Sequence, residues 1–96
     1  MVDVYKFKDE TSAREFFSMF AGKEGVEEIQ IDDVTATLLY EDDMALVTVF
    51  FQRGKLVIMS SAEGLFDITT LEFTVPDEQV LKNAAIEGAR AAARNL

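Results

Sequence analysis

Apolar and polar residues alternate between Glu28 and Met59, and three short polar turns divide this stretch into four predicted strands. The turns are Asp32-Asp33, Asp42-Asp43 and Arg53-Gly54. Successive side chains of a strand point to opposite faces of the sheet, and a two-residue hairpin loop fixes which residues face each other. Two-residue loops at all three turns predict an antiparallel meander with the flanking pairs Ile31–Val34, Glu41–Met44 and Gln52–Lys55.

One face of this predicted sheet is entirely apolar. A shift of one residue in any hairpin would bring polar residues onto this face, so the pattern supports the register. We therefore expect both helices of the chain to pack on this face and to bury it as the core. Its residues are Ile29, Ile31, Val34, Ala36, Leu38, Tyr40, Ala45, Val47, Val49, Phe51, Leu56 and Ile58.

The three turns differ in how well their residues suit a tight hairpin. Gly54 can take the positive φ that two-residue loops require, whereas Asp at both central positions is tolerated rather than favoured. Either Asp-Asp turn could be a longer loop, and the pairing around Asp42-Asp43 is the least constrained.

The opposite face of the sheet changes from polar near Glu28 to apolar at its centre. A sheet face that is open to water normally carries polar side chains, so this apolar patch needs a cover from this chain or from another. Because the core face already requires the helices, we expect the patch to form the interface of a homodimer. The predicted interface residues are Leu39, Met44, Leu46, Phe50, Val57 and Met59.

Further elements precede the meander. A strand is predicted over Val2–Phe7, followed by a helix that starts near Thr11 or Ser12 and ends at Gly22. Ser12 and Glu15 have the spacing of a capping box. The helix carries an apolar stripe at helical spacing, formed by Ala13, Phe16, Phe17 and Phe20, which we expect to fill the space over the sheet.

After the meander we predict a turn, a strand and a second helix. The turn covers Ser60–Gly64, and the strand Leu71–Val75 pairs at an edge of the sheet. Asp77 opens the helix, where negative charge suits the helix dipole. Small residues on this helix allow close backbone approach, either to this chain's sheet or to a helix of a second copy. They form two rows, Ala84, Gly88 and Ala92 beside Ala85, Ala89 and Ala93.

The predicted fold class is α+β, with an antiparallel meander of five to six strands and two helices in the order β-α-β4-β-α. The 96 residues suffice for a single domain over residues 1–96. In its order of elements the chain resembles the helix-grip arrangement and one repeat of the TATA-binding-protein architecture. The resemblance covers element order without a sequence motif, so it implies no function.

The composition leaves few groups for catalysis. The chain has no His and no Cys, so only Asp, Glu, Lys and Tyr could act as general acid or base. The two Asp pairs, Asp32-Asp33 and Asp42-Asp43, are separated by an eight-residue strand. They therefore lie roughly 25 Å apart at ~3.3 Å per residue, at opposite ends of the sheet. We expect solvated turns there and predict no enzyme activity, metal or cofactor.

Eighteen acidic and nine basic residues give a net charge of −9, which argues against nucleic acid and anionic membranes as direct partners. The acids concentrate between Lys23 and Asp43. The region is either a solvated surface or a surface for a basic partner. The residues of this acidic surface are Glu24, Glu27, Glu28, Asp32, Asp33, Glu41, Asp42 and Asp43.

These observations predict a small acidic interaction module without enzyme activity, which forms a homodimer through the apolar patch or binds another protein. Two alternatives stay open. One is an acidic inhibitor that binds a basic, nucleic-acid-binding protein by charge mimicry. The other is a binder of a small apolar ligand between the sheet and the C-terminal helix. With no cysteine, no long apolar stretch and no secretory signal in MVDVYKFKDE, we expect a cytoplasmic location.

Overall fold

The computed structural model describes residues 1–23, 25–41, 45–63, 65–67, 69, 72–74 and 77–95. They form β1 (Val2–Lys6), α1 (Glu10–Ala21), β2 (Val26–Ile31), β3 (Val34–Glu41), β4 (Leu46–Arg53), β5 (Leu56–Glu63), β6 (Leu65–Asp67), β7 (Glu72–Thr74) and α2 (Glu78–Asn95). Strands β1 to β5 build one antiparallel sheet in the order β1-β5-β4-β3-β2. The predicted α+β class is confirmed, with one more strand than predicted between the meander and the last helix.

The hairpin between β2 and β3 has the predicted register. Ile31 faces Val34 across a two-residue loop of Asp32 and Asp33. Asp32 takes a left-handed conformation with φ of 52°, which Asp tolerates because its short polar side chain can form local hydrogen bonds.

The hairpin between β4 and β5 turns one residue later than predicted. Arg53 faces Leu56, so the loop is Gly54-Lys55. Gly54 takes a φ of 60° at the first loop position, where the absence of a Cβ removes the strain. Phe51 consequently faces Ile58.

The prediction for the hairpin between β3 and β4 is wrong in its loop length. Glu41 faces Leu46, so the loop spans residues 42–45. Ala45, predicted in the strand opposite Tyr40, lies in this loop with a left-handed φ of 47° and is buried. Asp32-Asp33 forms a two-residue loop between β2 and β3, so an Asp-Asp pair alone does not set the loop length. The other loop residues, Asp42, Asp43 and Met44, lie outside the described residues.

Both displacements preserve the predicted faces of the sheet. The facing partner changes by two residues in each hairpin, and an even change leaves every side chain on its face. The predicted core face is therefore confirmed as the hydrophobic core. Seven of its residues are buried, namely Ile31, Ala36, Leu38, Val47, Val49, Phe51 and Ile58, and four pack partly buried against them, namely Ile29, Val34, Tyr40 and Leu56.

The predicted turn at Ser60–Gly64 is wrong, because β5 continues through Glu63. The later hairpin turn moves the first residues of β4 opposite this segment, so that Leu46 faces Glu63 and Val49 faces Ser60. Ser60 is buried on the face that α2 covers, although its residue type indicated a polar turn.

Helix α2 covers the core face with its row of alanines. Ala85, Ala89 and Ala93 are buried against the sheet. At Gly88 the helix comes so close to β5 that an added Cβ would lie 2.3 Å from the Ser60 Oγ. Of the two alternatives for the small residues, the structure therefore shows close approach to this chain's own sheet.

Helix α1 packs on the other face of the sheet, so the expectation that both helices share the core face is wrong. Its Phe17 and Phe20 rings lie 5.8 Å and 5.2 Å from the ring of Phe50, measured between centroids. The helix starts one turn earlier than the predicted capping box, because the Asp9 carboxylate accepts a hydrogen bond from the Ser12 backbone N–H at 2.7 Å.

The strand predicted at Leu71–Val75 is present as β7, but it does not extend the main sheet. It pairs with β6 in a separate two-stranded sheet, in which Phe66 faces Phe73. Leu71 and Val75 lie outside the described residues. One edge of the main sheet is instead formed by β1, which pairs with β5.

Candidate interaction surface at the β1 edge

The apolar patch predicted as a dimer interface is largely covered by α1 of the same chain. Phe50 and Val57 are fully buried, at 1% and 0% exposure, and Leu39 is buried as well. Leu46 and Met59 are half-buried, and Met44 lies outside the described residues. The face is therefore not open, and a partner could reach Phe50 or Val57 only if α1 moved away.

The acidic surface is partly neutralised by bases of this chain. Glu27 lies 3.4 Å from the Lys82 ammonium, and Asp33 lies 3.8 Å from the Arg53 guanidinium. The Arg53–Asp33 contact is a surface ion pair, and such pairs contribute about 0–1 kcal/mol. Glu24, Asp42 and Asp43 lie outside the described residues.

Asp32 contacts two arginines of the last turns of α2. Its carboxylate oxygens lie 3.7 Å from Arg90 Nε and 3.5 Å from Arg94 Nε. Arg53 adds a hydrogen bond from its guanidinium to the Ala93 carbonyl oxygen at 2.8 Å. These contacts hold the end of α2 at the β2–β3 turn, and they reduce the negative charge that this end offers to a basic partner.

The side chains that could bind a metal ion are dispersed in the described part of the chain. Within the described ranges, no three His, Cys, Asp or Glu side chains come close enough to hold a metal ion. The pKa of Asp9 is lowered from its ordinary value, first because its carboxylate accepts the Ser12 backbone hydrogen bond. That hydrogen bond caps α1, so the lowered pKa has a structural cause.

Exposed apolar side chains concentrate on β1. Met1 is 83% exposed, and Val2, Val4 and Tyr5 are 45–49% exposed. All five residues of the strand are exposed. The other large exposed apolar side chains among the described residues, Met19 on α1 and Val80 on α2, stand on separate helices. Large apolar side chains grouped in this way mark surfaces that contact partners.

The backbone of β1 uses only half of its hydrogen-bonding groups within the chain. Met1 and Ser61 exchange two hydrogen bonds of 2.9 Å each, and the Phe7 N–H donates to the Lys55 carbonyl oxygen at 2.8 Å. In an antiparallel pair such bonded positions alternate with positions whose N–H and C=O point away from the partner. The odd-numbered residues therefore bond β5, and the outward-pointing residues are Val2, Val4 and Lys6.

The two edges of the main sheet differ in character. The edge strand β2 carries neighbouring carboxylates at Glu27 and Glu28. Charged side chains are the usual protection of an exposed strand edge against pairing with another chain. On β1 the two charged residues, Asp3 and Lys6, are opposite in sign, so this edge lacks the excess of like charge that β2 carries.

A groove of about 510 Å³ lies beside β1, between the end of β5 and α2. Its floor and walls are made by small side chains together with the N-terminal residues. The lining residues are Met1, Val2, Ser60, Ser61, Ala62, Glu63, Ala84 and Gly88. The volume is within the range of binding sites for small molecules and for single side chains of a partner.

Nothing in the sequence marked this surface as a site. Val2–Phe7 was predicted as a strand, but its place in the sheet depends on pairing with β5. The paired residues are 50–58 positions apart in the chain, and no local signal indicates the pairing. The signal that was available is the composition of MVDVYKF, which is mostly apolar and contains one acidic residue.

Comparison with protein-family models, curated proteins and solved structures finds no match to this chain, so these comparisons assign no function. Among the described residues, no helix is long and apolar enough to cross a membrane.

Proposed function

We propose that this protein is an interaction module without enzyme activity, which binds an extended segment of a partner along the outer edge of β1. The observation that carries the proposal is the coincidence, on one edge strand, of exposed Val2 and Val4 with outward-pointing backbone groups. In strand addition the main-chain hydrogen bonds supply affinity, and pockets for alternate side chains supply specificity.

The groove supports this mode of binding. Val2 and Met1 form part of both the strand edge and the groove lining. A segment that adds to β1 places alternate side chains on the α2 side of the sheet, next to this groove. The homodimer predicted from the sequence remains compatible with the proposal, with β1 in place of the face that α1 covers.

The test is photo-cross-linking from the edge. Val4 is replaced by benzoylphenylalanine, and the matched control carries the same residue at Met19, which is also exposed but lies on α1. After irradiation in cell extract, the proposal predicts one dominant adduct from position 4 and only diffuse labelling from position 19. Similar adduct patterns from both positions contradict it.

The groove also favours a second candidate function, the binding of a small apolar ligand between the sheet and α2. Ala84 is exposed and lines the groove, so Ala84→Leu should fill it at little cost to the fold. Asn83→Leu is the matched control, because Asn83 is exposed on the same helix and does not line the groove. With Nile red as the probe, binding that Ala84→Leu abolishes and Asn83→Leu retains supports this function. Absence of binding to the wild type excludes it for ligands of that class.

A further inference from the structure

We infer that the partner of the β1 edge is a second copy of this chain, paired antiparallel across a two-fold axis at Val4. The inference rests on the proposed function of this edge and names its partner. It follows from the positions of the three residues whose backbone groups point outward. Val4 is the central one, with Val2 two positions before it and Lys6 two positions after it.

A two-fold axis at Val4 satisfies the outward groups of both copies. Val4 faces Val4 of the second copy, and Val2 faces Lys6 of the second copy. All of these are positions whose N–H and C=O point away from β5, so each facing pair can exchange two hydrogen bonds. The five-stranded sheets then join into one continuous sheet.

The faces of the two sheets also agree. Val4 faces Ile58 within the chain and therefore lies on the side that α2 covers. Residues that face each other across an antiparallel pair point to the same side, so both copies carry α2 on one side and α1 on the other.

The side chains that this register brings together are complementary. Two β-branched valines meet at the axis, a favourable cross-strand pair. The Lys6 side chain of each copy lies along Val2 of the other, where its aliphatic part can cover the valine. On the opposite side, Asp3 of one copy faces Tyr5 of the other, whose hydroxyl can donate to the carboxylate.

Charge favours β1 rather than β2 as the edge that pairs with itself. The charged residues of β1, Asp3 and Lys6, are opposite in sign, so pairing this strand with itself brings together no excess of like charge. Joining two β2 edges would instead bring Glu27 and Glu28 of both copies together, and like charges across strands are destabilising.

The interface is short, and we therefore expect a weak, reversible dimer. Five residues of one strand bury far less than the ~800 Å² per partner of a standard interface. Sedimentation should be followed from roughly 1 µM to 1 mM protein, the range that covers weak dissociation constants.

The decisive experiment is disulfide trapping, since the chain has no cysteine. In the proposed register Val4→Cys places two Cα atoms about 5.5 Å apart, a distance that a disulfide spans. Val2→Cys is the control, because its two copies are offset by four residue steps of ~3.4 Å along the strands and so lie about 14 Å apart. Under mild oxidation we expect a covalent dimer from Val4→Cys and none from Val2→Cys.

Val4→Pro tests the backbone bonds of the interface. The Val4 N–H points outward, so proline is compatible with β1 but removes two hydrogen bonds of the dimer. Val4→Thr keeps the N–H and the β-branched shape. We expect Val4→Pro to weaken dimerisation at least about tenfold and Val4→Thr to change it less than about threefold. If Val4→Pro fails to fold, the cysteine pair alone decides.

Other outcomes overturn the inference. The inference is overturned if the wild type stays monomeric at the highest concentration, or if both cysteine variants are trapped equally. It is also overturned if the protein assembles beyond the dimer, as expected for β1 pairing with β2. In the cross-linking experiment, an adduct of position 4 with a different protein would retain the proposed function and exclude the second copy. The absence of any specific adduct would contradict the proposed function itself.

Discussion

Replacing Phe50 by alanine tests whether α1 covers the second face of the sheet. Phe50 is 1% exposed and lies between the Phe17 and Phe20 rings of α1. Truncating a buried phenylalanine costs about 3–5 kcal/mol through lost burial and the cavity that remains. On an open face the same change would cost only about 0.5 kcal/mol, the usual effect of surface substitutions.

The assay is urea denaturation at low protein concentration, where self-association does not contribute. A loss of 3–5 kcal/mol at a slope of ~1–3 kcal/mol per molar urea lowers the midpoint by at least about 1 M. Met19→Ala is the control on α1, because Met19 is 69% exposed, and we expect a change within about 0.5 kcal/mol. A double-mutant cycle of Phe17→Ala with Phe50→Ala should show coupling of about 0.5–1.5 kcal/mol.

A loss below about 1 kcal/mol in Phe50→Ala would refute the packing of α1 on this face. It would also restore the sequence-based expectation that Phe50 belongs to an open interface. In that case the variant should dissociate a dimer while its fold persists, and sedimentation would show it.

Three further predictions follow from the contacts of the two helices. Gly88→Ala should destabilise the fold by about 1–3 kcal/mol, because its Cβ meets the Ser60 Oγ. Adding Ser60→Ala should recover most of that loss. Thermal unfolding of the wild type, the two single variants and the double variant checks both expectations. Asp32→Asn keeps a residue that accepts the left-handed backbone and removes two ion pairs, so we expect a loss of at most about 1 kcal/mol that disappears in 1 M salt. Asp9→Ala should lower the melting temperature at neutral pH. Because the folded pKa of Asp9 is lowered, its contribution is present above the unfolded value near 3.8 and is lost as pH falls through the folded pKa, so the difference from wild type should vanish in acid.

The sequence predicted the faces of the sheet better than its pairings. When a hairpin turn moves by one residue along the chain, each residue faces a partner two positions further along the neighbouring strand. A change of two positions leaves every side chain on the same face of the sheet. The pattern of Val47, Val49 and Phe51 therefore identified the core, although the loop before β4 is two residues longer than predicted and the loop after it lies one residue later. Loop length depends on backbone conformations such as the left-handed Ala45, for which alanine gives no local signal.

The place of the helices could not be predicted from the apolar stripes. The phenylalanines of α1 and the alanines of α2 both indicate a buried face, but neither specifies which side of the sheet it meets. Long-range packing decides this. The close approach of α2 at Gly88 and Ser60 places that helix over the core face, and α1 then covers Phe50.

The candidate surface was missed for a related reason. An edge strand is a strand with one neighbouring strand instead of two. Whether a strand lies at the edge depends on the strand order of the whole sheet, so its own sequence does not reveal it. Val2 and Val4 have the same residue type as the buried strand residue Val49. They are exposed because β1 has a single neighbouring strand, β5.

Amide hydrogen exchange, resolved residue by residue, measures the freedom of the β1 edge. In a dilute sample we predict slow exchange at Asp3, Tyr5 and Phe7, whose N–H groups bond β5, and fast exchange at Val4 and Lys6. Raising the protein concentration should slow exchange at Val4 and Lys6 as the second copy pairs with the edge. Protection of Val4 and Lys6 equal to that of Asp3 and Tyr5 in the dilute sample would show that the edge is already covered, and it would contradict the proposed function.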